Sequence, residues 1–256
     1  MVFDLDGTLA QSKSPISAEL AGLLHDLLGV IRVAIISGGN WNQFQTQLLA
    51  NLPSGHRLTR LYLLPTNGTQ FYQYSGQWSQ IYAEDLSATE RVRIIASLNQ
   101  VFNDSPDPVK RVWGEPIEDR GSQITLSALG QNAPLDEKER WDPDFAKRRK
   151  MTALLEPLLP EFAISMGGTT SIDVTKRGVD KAYGIGKLGD LLHVSVQEML
   201  FVGDAIFPGG NDYPAQEAGV DSILVRDPRE TARVIQAVLS CLGDGATQIK
   251  SPRKER

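Results

Sequence analysis

Apolar and polar positions fall into blocks along the chain, and the period of the blocks changes from one segment to the next. The opening residues MVFDL form a short apolar strand. In PISAELAGLLHDLL the apolar side chains recur at helical spacing after Pro15, a residue suited to a first helical turn. VIRVAIIS is continuously apolar, as a strand covered on both faces must be, which predicts a largely parallel sheet flanked by helices. SGGNWNQFQTQLLANL then predicts a turn and a helix, LYLLP a third strand, and TQFYQYSGQWSQIYA a hairpin about Ser75 and Gly76.

From about Leu86 the pattern shifts to a helix (SATERVRIIASLNQVF), strands (VKRVWGE and SQITLSAL), a charged helix (DPDFAKRRKMTALLEPLL) and two further strands (FAISMG and TSIDVTK). After Gly178 helices and strands alternate again through KAYGIGKLGDLL, EMLFVGD, SILVRD and RETARVIQAVLSCL. This order predicts an α/β fold in which an α+β domain, residues 85–176, is inserted into a discontinuous Rossmann-like parallel-sheet core made of 1–84 and 177–256. The tail GDGATQIKSPRKER is polar and is expected to be disordered.

Composition narrows the function. Within 256 residues, 26 Lys plus Arg against 31 Asp plus Glu leave a formal charge of -5, which gives no electrostatic reason to expect nucleic acid or an anionic membrane. A small-molecule partner is expected. The single cysteine, Cys241, cannot form an internal disulfide and is expected to be a buried structural thiol. With no signal peptide or membrane-length apolar run, a cytoplasmic protein is expected; its oligomeric state is not legible. Three residues precede Asp4, so the first strand is either short or continues from residues upstream of Met1.

The chemistry begins with Asp4 and Asp6. An unpaired buried carboxylate is costly, yet two lie in an apolar strand, spaced to face the same side at the strand's carboxyl end, where open α/β sheets bind ligands. They repel unless a cation or a shared proton intervenes, and Asp204 in LFVGDAIFPGGND supplies a third acidic group at another strand end. Such an oxygen-rich set suits Mg²⁺, which keeps several waters and takes a phosphate oxygen from its substrate.

DLDGT at 4–8 resembles the nucleophile motif of the haloacid dehalogenase superfamily. Ser37 in AIISGG, Lys181 in GVDKAYGI and the segment GDAIFPGGND follow in the order of that superfamily's other motifs. The insert, with SMGGTTSIDV before the lysine and PGGND after the last motif strand, further resembles the eukaryotic-type phosphomannomutases, whose cap is α/β.

The resemblance implies that Asp4 attacks phosphorus and that Asp6 protonates the leaving oxygen and then activates the incoming water or hydroxyl. Asp4, the backbone carbonyl of Asp6, and Asp204 would hold Mg²⁺. Thr8, Ser37 and Gly38 would meet the phosphoryl group and Lys181 would offset its charge. Asn211 and Asp212 would orient the lysine and metal waters, and Arg120, Ser171 and Asp173 of the cap would contact substrate.

Several positions depart from the mutase pattern. Gln131 stands where a cap arginine is expected, Lys13 replaces an arginine after the nucleophile motif, Ser37 replaces a glycine, and Arg140 matches a cap arginine only if two extra residues are allowed. Without a full arginine clamp on a distal phosphate, the sequence favours a Mg²⁺-dependent phosphatase acting on a sugar phosphate or similar small phosphoester. A phosphomannomutase is the alternative, and a non-catalytic phospholigand-binding protein the rival from another class.

Other features carry less. GIGKLG at 184–189 falls within a predicted helix and does not predict a dinucleotide site. His25, His56 and His193 lack metal-ligand spacing, KRRK at 147–150 predicts a solvated helix face, and Trp113 and Trp141 are expected to pack.

Overall fold

The apolar segments meet in two separate sheets. In this computed structural model residues 1–247 are described, except Lys13 and Pro106, with side chains described as far as Leu242. The first part of the chain forms β1 (Val2–Phe3), α1 (Ala18–Val30), β2 (Val33–Ile36), α2 (Trp41–Gln43), β3 (Leu61–Leu64), β4 (Gln70–Tyr74) and β5 (Trp78–Ala83). The middle forms α3 (Ala88–Asn103), β6 (Ile117–Asp119), β7 (Gln123–Ser127), α4 (Leu135–Trp141), α5 (Ala146–Leu155), β8 (Phe162–Gly167) and β9 (Ser171–Lys176). Last come α6 (Lys181–Leu192), β10 (Leu200–Gly203), α7 (Tyr213–Glu217), β11 (Asp221–Leu224) and α8 (Pro228–Thr247).

The core sheet runs β11-β10-β1-β2-β3-β4-β5, parallel from β11 to β3 and closed by the antiparallel β4–β5 hairpin. Strand periodicity explains why these strands read as unbroken apolar runs. Phe3, Val33, Ile35, Leu61 and Leu63 pack with α1 and α8 residues on one face, while Val2, Ala34, Ile36, Tyr62 and Leu64 meet Ile185 and Leu188 of α6 on the other. The cap sheet, β6-β7-β9-β8, is wholly antiparallel. One of its faces buries Ile124, Leu126, Ile172 and Val174 against α3 and α5. Its other face is polar: Gln123, Thr125 and Ser127 alternate with those apolar residues and are nevertheless buried.

Several local expectations are corrected. Helix α1 starts later than Pro15, because Ser17 is its N-cap and accepts from the Leu20 N–H at 3.2 Å. The predicted helix after Gly39 is a composite, one short α-turn followed by a π-helical turn over Phe44–Leu48 and a 3₁₀ turn over Leu49–Asn51. VKRVWGE forms no strand. The Trp113 N–H and C=O bond to Leu129 and Asn132 of a loop, Gly114 takes a positive φ of 76°, and Pro116 has no N–H to give a ladder. Helix α4 has no counterpart in the predicted elements. The tail's first residues, 243–247, continue α8, and 248–256 lie outside the described residues.

Two side-chain expectations also fail. Cys241 is exposed. Arg148, at the centre of KRRK, is only 1% exposed, pairs with buried Asp142 at 2.8 Å and donates to the carbonyls of Gly167 and Gly168. Trp141 packs beside the cap's apolar cluster as expected. Among the described residues, no helix is long and apolar enough to cross a membrane.

Candidate active site

The carboxyl ends of β1 and β10 lie side by side in the sheet, and the chemistry-bearing loops leave from there. Asp4 follows β1 directly, is 3% exposed, and its N–H donates to the Val202 carbonyl at 3.0 Å. Lys181 is the first residue of α6, whose N-cap Asp180 accepts from the Tyr183 N–H at 3.0 Å and so sets where the helix starts. Its Nζ donates to Asp4 Oδ1 and Asp212 Oδ1 in a wholly buried triad. Asp212 Oδ2 accepts from the Ala205 N–H at 2.9 Å, which holds it beneath the loop after β10.

Electrostatics bind this group together. Burial pushes the Asp4 carboxyl well above its usual range, and Lys181 opposes that push, while Asp212 and Asp204 add to it. Burial alone would lower the Lys181 ammonium, yet Asp212 and Asp4 outweigh it and hold the pKa above the ordinary lysine value. Asp204 is also raised, first by burial and then by Asp212. Carboxylates that favour protonation when left alone form a site that gains from a cation.

Oxygens of Asp4, Asp204 and Asp212 lie within 4.8 Å of one another. Gly7 makes this approach possible. It has φ 90°, and a Cβ there would sit 2.4 Å from Asp204 Oδ2. The clustered, all-oxygen donors fit Mg²⁺. Thr8 donates to Asp204 Oδ1 at 3.2 Å, and its own carbonyl accepts from Thr231 at 2.7 Å.

Asp6 is not part of this carboxylate cluster. Strand β1 ends at Phe3 and Asp6 lies in the following turn, bridged to Ala10, so the alternation that would align its side chain with Asp4 is interrupted. Its carboxylate turns toward the helical segment after β2, where Gln43 Nε2 donates to Oδ2 at 2.6 Å and Gln47 Nε2 to Oδ1 at 2.9 Å. Its backbone carbonyl is the metal ligand that the resemblance implies.

Ser37, 3% exposed, directly follows β2, and its Oγ accepts from the Gly39 N–H at 3.1 Å. The Gly38 carbonyl faces the cap and accepts from Arg120 Nη1 at 2.6 Å and Gln123 Nε2 at 3.3 Å. Arg120 is also held by Glu118 at 2.7 Å, so it fastens the cap to the Ser37–Gly38 loop. Ser171 and Asp173 lie on the polar face of β9, paired with Ser127 and Thr125 at 2.9 and 2.6 Å. Asn211, in contrast, is exposed and its side chain makes no hydrogen bond among the described residues. Lys13 lies outside the described residues.

Between cap and core is a cavity of about 570 Å³ lined by Gln43, Gln47, Arg120, Gln131, Asn132 and Lys138. Gln131 projects into this region and donates to Ser127 at 3.1 Å. Lys138 of α4 is 9% exposed, its Nζ donates to the Gln131 carbonyl at 3.2 Å, and it joins no ion pair among the described residues. Burial lowers its pKa, with the Asp6 charge opposing. Arg140, which matches a mutase cap arginine only if two extra residues are allowed, is a solvent-facing residue paired with Asp136 and Glu137 of its own helix. Lys138 is therefore the buried cation of α4. Its sequence signal is faint: Pro134 opening a helix that turns this residue inward.

The family model for eukaryotic phosphomannomutase matches residues 20–241. A phosphomannomutase of Schizosaccharomyces pombe is 31% identical over 226 residues, covering 83% of each chain, and one of Encephalitozoon cuniculi is 28% identical, covering 96% of each. In fold, the chain is similar to a haloacid dehalogenase-like hydrolase from Bacteroides thetaiotaomicron (TM-score 0.60, 17% identity, 93% of this chain and 98% of that one). It is also similar to a C-terminally truncated Plasmodium falciparum IMP-nucleotidase (TM-score 0.68, 17% identity, 93% and 70%). The chain is thus a phosphoryl-transfer enzyme of the haloacid dehalogenase superfamily and belongs to the eukaryotic phosphomannomutase family.

Proposed function

We propose that this enzyme is a hexose phosphomutase of the phosphomannomutase type, moving a phosphoryl group between the two ends of a sugar through an aspartyl-phosphate on Asp4. This reverses the order favoured by the sequence alone, where hydrolysis came first; the relatives' shared name weighs toward the mutase. The observation that carries the reading is Lys138, a buried ammonium that joins no ion pair among the described residues and lines the cavity near the Asp6 charge. A mutase must hold a phosphate at the end of the sugar that is not reacting, and a desolvated cation there supplies the charge.

In this reading Lys181 holds Asp4 Oδ1 and leaves Oδ2 to attack phosphorus in line with the departing sugar oxygen. Asp6 gives its hydrogen to that oxygen as the P–O bond breaks. Ser37 and the amides beside it bind the equatorial oxygens as charge accumulates on them. Mg²⁺, when bound by Asp4, Asp204 and the Asp6 carbonyl with Asp212 alongside, supplies Lewis-acid neutralisation of the phosphoryl group. The sugar then turns over and its other oxygen, activated by Asp6, takes the phosphoryl group from Asp4.

The cap, residues 85–176, moves as one body in this scheme, excluding water while the aspartyl-phosphate exists. Its first hinge is narrow. Glu84 is tied to the core through Thr69, Tyr183 and Lys187, whereas Leu86 is already buried in the cap's apolar cluster.

Hydrolysis stands as the second reading, favoured by Gln131, a neutral amide in a clamp that would otherwise carry an arginine fork. The two separate when mannose 1-phosphate is supplied with Mg²⁺ and a catalytic amount of hexose 1,6-bisphosphate while mannose 6-phosphate and free phosphate are both measured. Isomerisation exceeding phosphate release supports the mutase. Phosphate as the main product overturns it in favour of a phosphatase.

A further inference from the structure

We infer that Gln43 and Gln47 are positioning residues that aim the Asp6 carboxyl at the departing oxygen. This rests on the proposed acid–base part played by Asp6. The two amides reach opposite oxygens of one carboxylate, at 2.6 and 2.9 Å, from positions four apart. Such a two-point grip fixes both the place and the rotation of the carboxyl plane, which one contact could not.

Three features mark the grip as built. Gln47 lies within, and Gln43 directly before, a π-turn over Phe44–Leu48, a rare conformation found disproportionately at functional sites. Gly39 leaves the space into which Gln43 folds, since a Cβ at 39 would stand 2.4 Å from Gln43 Oε1. Gln47 is 2% exposed, and its Oε1 is buried with no hydrogen-bond partner. An orphaned carbonyl is destabilising, so keeping an amide here calls for a gain elsewhere. Its Nε2 contact to Asp6 is that gain.

During transfer to the enzyme, an Asp4 oxygen forms the new O–P bond, and the electron pair of the breaking P–O bond goes to the sugar oxygen. That oxygen receives the Asp6 hydrogen. A carboxyl misplaced by about 1 Å loses up to about 100-fold in rate. The loss should depend on the leaving group: a sugar alkoxide needs the hydrogen, whereas the acetate leaving from acetyl phosphate does not.

The test is acid-quenched, single-turnover formation of radiolabelled phosphoenzyme with Mg²⁺, from hexose 1-phosphate and from acetyl phosphate, for the full chain and for Gln43→Leu, Gln47→Leu and Asp6→Asn. The expected result is that both leucine variants lose about tenfold or more with the hexose phosphate relative to their loss with acetyl phosphate, in the pattern of Asp6→Asn. Gln47→Leu should also keep or raise the melting temperature, because it removes the orphaned oxygen. Equal losses on the two substrates, or none, in both leucine variants while Asp6→Asn remains selective overturn the inference alone. Absence of selectivity in Asp6→Asn overturns it together with the acid–base reading of Asp6.

Discussion

Replacing Lys138 by Met keeps most of the buried stem and removes the charge, whereas the same change at Arg140 removes a cation with 67% of its side chain exposed. The two positions are two residues apart on α4 but face different surroundings, and the size of each effect follows from that. A hydrogen bond to a charged group contributes about 1.5–3 kcal/mol, so losing one between Lys138 and a distal phosphate weakens bisphosphate binding by about 10- to 160-fold. An exposed ion pair within one helix contributes about 0–1 kcal/mol and nothing to substrate. The assay is KM for hexose 1,6-bisphosphate as activator, with the ratio of isomerised to hydrolysed product. Lys138→Met should raise KM and shift product toward free phosphate, while Arg140→Met changes neither. If Arg140→Met has the larger effect, or Lys138→Met leaves KM within about twofold, the placement of the distal phosphate beside Lys138 is refuted.

Asp4→Asn should abolish phosphoenzyme formation and beryllium fluoride trapping while the fold survives; phosphate release persisting after rigorous purification would remove Asp4 as nucleophile. Asp204→Ala and Gly7→Ala should both weaken the Mg²⁺ dependence of turnover, the first by removing a carboxylate and the second by placing a Cβ 2.4 Å from one, so unchanged magnesium titrations count against the site. The contact between Glu84, Lys187 and Tyr183 should be pH-sensitive. Its hydrogen bonds from Lys187 and Tyr183 lower the Glu84 pKa, so its stabilisation is full above the ordinary glutamate range and disappears as pH falls through the folded value. Because the Glu84 side chain is 43% exposed, Glu84→Gln should cost under about 1 kcal/mol near neutrality and nothing below that value; a melting-temperature difference that stays constant from neutral to acid pH rejects the linkage.

The core was legible because its constraints are local. A strand that buries both faces must be apolar throughout, and residues 33–36 and 61–64 are; a residue that begins a helix needs a cap, and Asp180 provides one before Lys181. The cap was harder, since its side chains are sorted by distant partners. Nothing within KRRK distinguishes Arg148 from its neighbours until Asp142 and the Gly167–Gly168 carbonyls close around it. Nor does alignment by residue type locate the cation of α4. It offers Arg140 only if two extra residues are allowed, whereas the helix phase that begins after Pro134 turns Lys138 inward.

The aspartates show where a local argument stops. Their spacing predicted a shared face and shared compensation by metal and lysine; Lys181 does meet Asp4, whereas Asp6 lies in the turn beyond the strand and its carboxylate meets Gln43 and Gln47. The separation has a chemical consequence. In the proposed function Asp4 attacks as an anion, which suits its place beside Lys181 and the other carboxylates that draw a cation. In the proposed function Asp6 handles the hydrogen, and the Gln43 and Gln47 amides fix its carboxyl plane apart from the cluster of Asp4, Asp204 and Asp212. Two identical side chains, two residues apart, thus meet different surroundings and, in the proposed function, take opposite duties. Exchanging the amides at 43 and 47 for lysines should erase that distinction. Two ammonium groups would hold Asp6 as a carboxylate, slow transfer from a sugar phosphate more than from acetyl phosphate, and leave Asp4 as reactive as before; equal slowing with both donors would show that the amides serve the fold alone.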